Sequence, residues 1–129
     1  MAIFKSSGYL RYSKDPYKLI VEVDQSISDY YRSFVPKYVK LNKQAYPALL
    51  SVIRKEHVPL MKFWNKYEGH QVEFEYENII YNDELYYWLN AWSEKLEEIR
   101  YELGMKKTSH ITYSHDGRHR FHITIGNLK

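Results

Sequence analysis

Arg120-Phe121-His122-Ile123-Thr124-Ile125-Gly126-Asn127 sets the frame for the rest of the chain. Alternate residues of a strand share a face, so Phe121, Ile123 and Ile125 form one side and His122 and Thr124 the other. One side is therefore apolar. The other pairs an imidazole, which gives or takes a proton near neutral pH, with a hydroxyl that can hold a phosphate oxygen.

Upstream of this stretch, the order of elements suggests two similar halves. Residues 8–12 and 17–23 read as strands, separated by the turn signal Ser13-Lys14-Asp15-Pro16. A helix follows, with Ser26 as its cap and a stripe of Ile27, Tyr30, Tyr31, Phe34 and Val35; Pro36 limits its extension. After a basic connection over 37–44, the apolar run 48–53 reads as a buried strand that emerges at Arg54-Lys55-Glu56. Residues 57–67 read as a mixed turn or short helix. Strands are expected at 71–76 and 85–92, then a second helix capped by Ser93, with Leu96, Ile99 and Leu103 inward and Gly104 at its end. The Asp116-Gly117 pair predicts a hairpin leading into the last strand. The expected class is α+β, a single domain with a sheet and a helix in each half.

Composition narrows the chemistry. The chain has 129 residues and no cysteine, which excludes a disulfide framework, a thiolate nucleophile and a cysteine zinc site. No apolar run reaches membrane length and the start lacks a signal-peptide core, so a soluble, cytoplasmic protein is expected. Residues 1–66 hold 12 Lys/Arg and 5 Asp/Glu, a net +7; residues 67–129 hold 7 and 11, a net −4. A basic half suits an anionic ligand. The 14 tyrosines suit core packing, base stacking or phosphate bonding.

FHITIGN resembles the second His-x-Thr motif of the 2H phosphoesterases. The chain as a whole is similar to their short phage-encoded members through SGYLRYSKDPYK, LNKQAYP, SVIRKE, Tyr86-Tyr87-Trp88-Leu89, LEEIRYELG and FHITIGNLK. Such proteins include phage enzymes that cleave the cyclic oligonucleotide signals of bacterial CBASS immunity. The resemblance implies two pseudo-symmetric lobes around a central cleft, each giving one His-x-Thr/Ser strand. It also implies metal-independent chemistry without a cofactor, in the cytoplasm of an infected bacterium. One histidine acts as base, the other as acid, and the hydroxyls hold phosphoryl oxygens. In this chain the first motif reads Leu49-Leu50-Ser51: Ser51 keeps the hydroxyl, and Leu49 stands where the first histidine belongs.

Leucine carries no proton, and losing one of two acid/base groups costs about 10²–10⁴ in rate. The expected function is therefore to bind and sequester a cyclic oligonucleotide or similar nucleotide signal, with His122, Thr124 and Ser51 at the site. Active phosphodiesterase chemistry and RNA end processing are the alternatives, although long nucleic acid would need a more extended surface. His110, in His110-Ile111-Thr112, is the candidate substitute base. A two-residue loop at 116–117 would put it on the face opposite His122, and a loop of odd length on the same face. Metal binding by His110, His115, His119 and His122 lacks carboxylate support, and no metal is expected. Tyr12, Lys18, Arg54 and Lys55 are candidate rim residues for the ligand, and Trp88, on one strand face with Tyr86, is a candidate base-stacking residue.

Overall fold

The computed structural model describes residues 2–105 and 120–129. Its strands are β1 (Ile3–Ser13), β2 (Lys18–Glu22), β3 (Leu49–Arg54), β4 (Gln71–Asn82), β5 (Tyr86–Trp92) and β6 (Phe121–Asn127). The helices are α1 (Gln25–Arg32) and α2 (Glu94–Glu102), and short 3₁₀ turns occupy Lys37–Val39 and Met61–Phe63. The second of these turns lies within the stretch read as mixed turn or short helix. The class is α+β, and the described elements run strand, strand, helix, strand in each half.

The halves do not form two lobes with separate sheets around a central cleft, as the resemblance implied. Their strands close into one antiparallel barrel in the order β1-β2-β3-β6-β5-β4. Closure depends on a long β1–β4 ladder running from Ile3↔Glu77 to Tyr9↔Gln71. Both strands are longer than the sequence suggested: β1 begins at Ile3 rather than residue 8, and β4 continues past residue 76 to Asn82. Ser6-Ser7-Gly8 has little β propensity, so its place in a strand is set by tertiary contacts. Gly8 is required by space, because a Cβ there would lie 2.2 Å from the Glu22 carbonyl oxygen and 2.6 Å from Val21. Closure gives every described strand a partner on each side over part of its length, which shortens the edge open to another chain.

The core lies on the apolar face of the strands. Leu10, Leu19, Val21, Leu50, Phe74, Leu89, Phe121 and Ile123 are buried there, together with Ile27 and Tyr31 of α1 and Leu96 and Ile99 of α2. Helix α2 starts as expected, with the Ser93 hydroxyl accepting from the Leu96 N–H at 3.3 Å, and left-handed Gly104 follows its end. Helix α1 differs. Asp24 is its cap, accepting from the Ser26 N–H at 2.9 Å, so Ser26 falls in the first turn. The helix ends at Arg32, and Tyr30 and Phe34 of the expected stripe are exposed while Ile27 and Tyr31 are buried.

Candidate functional site

Strands β3 and β6 meet at the centre of the barrel wall through Leu50↔Ile123, both fully buried. Continuing this antiparallel register one residue each way sets Leu49 against Thr124 and Ser51 against His122. All four lie on the face opposite the core. Each strand then bulges directly after its hydroxyl residue. In β3 the ladder to β2 passes from Ile20↔Ser51 to Leu19↔Ile53; in β6 the ladder to β5 passes from Trp88↔Thr124 to Tyr87↔Gly126. The skipped residues, Val52 and Ile125, occupy equivalent places. A bulge increases local twist and re-aims its neighbours, so the two motif strands are shaped alike.

Arginines brace both bulges from behind, and each brace crosses between the halves. Arg32, at the end of α1 in the first half, donates to the Ile125 carbonyl at 3.2 Å. Arg100, late in α2 of the second half, donates to the Val52 carbonyl at 2.9 Å. The carbonyls released from the ladder thus find partners, as buried backbone groups must.

The second half of the site is polar and enclosed. His122 stacks on Trp88, with ring centroids 5.0 Å apart and planes at 30°. The Trp88 indole donates to Asn90 Oδ1 at 3.1 Å, and the Asn90 amide donates to Glu77 Oε1 at 3.1 Å. Tyr81 donates to the same Glu77 oxygen at 2.7 Å and stacks on Trp88. This network fixes the plane against which the imidazole rests. Among the described residues, buried His122 Nε2 and Arg120 Nε have no hydrogen-bond partner, each an unmet need of about 1–3 kcal/mol that a ligand could fill.

Burial, with Arg120 adding to it and Asp83 opposing it, lowers the His122 pKa to about 4. His122 is therefore neutral at pH 7. Above its unfolded value of 6.5 the residue is uncharged in both states and contributes no pH dependence. As pH falls from 6.5 towards 4, the unfolded chain takes up a proton that the folded chain refuses, and stability is lost by up to about 3 kcal/mol. Urea unfolding at pH 7 and pH 4.5 should register this fall in the wild type and a smaller fall in His122→Gln. An equal fall in both would assign the acid sensitivity to other groups.

The first half is open and basic. A cavity of about 330 Å³ has Leu49 and Ile20 as its aliphatic part, with Arg11, Ser13, Lys18, Tyr46 and Arg54 around them. Ile20 pairs with Ser51 as Trp88 pairs with Thr124, and Glu22 pairs with Leu49 as Asn90 pairs with His122. Aliphatic side chains thus occupy the positions that hold an indole and an imidazole in the other half. Arg11 is ion-paired to Glu22 and Glu68.

Most of the expected site residues gather here. Ser51, His122, Thr124 and Trp88 share the site face with Leu49, and Lys18 and Arg54 line the cavity. Tyr12 does not. It pairs with Leu19, turns to the core face and packs edge-on against Trp64 at 5.0 Å. Burial pushes the pKa of its hydroxyl up to about 12. Lys55 is exposed just past β3 in a left-handed conformation, outside the cavity lining. His110, with the expected Asp116-Gly117 hairpin, His115 and His119, lies outside the described residues. Arg11, Ser13, Tyr46, Glu77, Tyr81, Asn90 and Arg120 are additional members of the site region.

Among the described residues no group of His, Asp or Glu is arranged to hold a metal ion, and no helix is long and apolar enough to cross a membrane. No family model, curated protein or solved structure matches the chain.

Proposed function

We propose that the chain binds a cyclic oligonucleotide or closely related nucleotide signal and holds it intact, as a phage-type immune-evasion protein built on a degenerate 2H phosphoesterase site. The repeated strand-strand-helix-strand order and the matched motif strands support the 2H-like reading. The observation that carries the loss of cutting is Leu49. It shares a face with Ser51, His122 and Thr124, yet cannot move a proton. Cleaving a phosphodiester by acid/base catalysis needs a base for the attacking oxygen and an acid for the leaving oxygen. His122 can serve as one of them, and position 49 offers nothing for the other. What survives is suited to holding phosphates: two hydroxyls, an unpartnered imidazole nitrogen and a basic cavity.

The test is incubation with a panel of cyclic di- and trinucleotides, removal of unbound ligand, heat denaturation and chromatography of the released material. Intact nucleotide, stoichiometric with protein, is expected. Linear product in molar excess over protein would overturn sequestration in favour of an active phosphodiesterase.

A further inference from the structure

The basic cavity holds a row of polar and cationic side chains. In register, Ser13 pairs with Lys18 and Lys18 pairs with Arg54, so a hydroxyl, an ammonium and a guanidinium form one row across β1, β2 and β3. All three line the cavity, and none of its lining residues is acidic. Arg11, the third cation there, is engaged by Glu22 and Glu68. Lys18 and Arg54 make no ion pair among the described residues. Like charges directly opposite on neighbouring strands destabilise a sheet unless an anion lies between them. Here the pair also borders the aliphatic surface of Ile20 and Leu49, which strengthens its attraction for an anion relative to open water.

We propose that Ser13, Lys18 and Arg54 form a second phosphate-binding subsite, separate from the one at Ser51, His122 and Thr124. Arg54 lies three residues beyond Ser51 along a bulged strand, roughly 7–10 Å away. Ser51, His122 and Thr124 are not among the residues lining the basic cavity, so one phosphoryl group does not serve both places. The ligand of the whole site therefore carries at least two phosphoryl groups on one scaffold, one for each half, as a cyclic dinucleotide does and a cyclic mononucleotide does not. Arginine grips one phosphoryl oxygen pair as a fork, lysine adds a point charge and serine a hydroxyl bond. The two-phosphate requirement rests on the proposed function; the anion subsite itself does not.

Two measurements separate these levels. Heteronuclear NMR of the wild-type chain during titration with inorganic phosphate should give saturable shifts centred on the amides of Ser13, Lys18 and Arg54. The Lys18→Gln/Arg54→Gln variant, whose exposed positions leave the core untouched, should lose them. No localised shift in the wild type would overturn the subsite. Calorimetry with a cyclic dinucleotide should then show affinity falling about 10–100-fold in the same variant, and falling much less for the weaker-binding cyclic mononucleotide, which one subsite can hold. Equal losses for both ligands, or none for either, would overturn the two-phosphate assignment. Phosphate bound at the row with no nucleotide binding in the panel would uphold the anion subsite and remove the sequestration reading.

Discussion

Leu49→His is expected to turn a binding protein into an enzyme, raising turnover of a bound cyclic dinucleotide by about 10²–10⁴-fold over the wild-type background. The introduced imidazole would stand opposite Thr124, on the face that already carries Ser51 and His122. Its cross-strand neighbour is Glu22, and a carboxylate beside an imidazole favours the charged form. His122 is held neutral by burial. Two proton carriers with opposed environments divide the work of acid and base. Neutral His122 accepts the proton of the attacking water as oxygen bonds to phosphorus. The introduced imidazolium protonates the departing ribose oxygen. The expected rate sits at the lower end of the range, because Ile20 offers no aromatic plane where Trp88 supports His122, and because Glu22 is already engaged by Arg11.

Linear product, quantified by chromatography under multiple-turnover conditions, is the readout. Leu49→His/His122→Ala should fall back to the wild-type background, since acid and base act as a unit. A Leu49→His protein that binds ligand with unchanged affinity but never cuts it would argue against a degenerate 2H site, because its surroundings would then have no geometry for catalysis.

The strand parity at 121–125 was sufficient to place His122 and Thr124 on the polar side of a strand, because alternation is strongly imposed when one face must be buried. The run at 48–53 was legible as a strand but, being nearly all apolar, assigned no face; Leu49 and Ser51 came from the resemblance of Leu49-Leu50-Ser51 to a His-x-Thr/Ser motif. The hairpin at 13–18 also carries a parity. If Lys18 faces the site, its partner Ser13 does too, and Arg11 follows by parity, whereas Tyr12 must turn inward with Leu19. The closure of the barrel was not legible, because Ser6-Ser7-Gly8 carries no strand signal and is recruited by its ladder to β4. Nor was the cluster of Glu77, Tyr81, Trp88 and Asn90. It forms where the β4–β5 register shifts between Tyr76 and Ile80, and such an irregularity depends on both strands at once. The capping of α1 by Asp24 was a choice between two neighbouring good caps, Asp24 and Ser26, which local sequence leaves open.

Arg100→Ala is expected to cost about 3–5 kcal/mol of folding stability, far more than its surface-charge count would suggest. The side chain is 2% exposed, donates to the Val52 carbonyl at 2.9 Å and meets both oxygens of Glu56 at 2.9 and 3.2 Å. Its removal leaves a buried carbonyl without this donor, strips the carboxylate of its fork and empties the volume of a long side chain beneath β3. Glu56 is partly exposed and can regain water, which holds the loss within that range. Arg32→Ala removes the matching brace from Ile125, but there the side chain is 19% exposed and the carbonyl bond longer, so about 1 kcal/mol is expected. Urea midpoints at pH 7 would measure both. Arg32→Ala also leaves a folded protein in which the bulge behind Thr124 is loosened, together with the contacts of Arg32 to Ser28 and Asp29 within α1. If these braces aim the hydroxyls at the ligand, its cyclic dinucleotide affinity should fall while most of its stability remains. Unchanged affinity would confine Arg32 to holding the barrel together.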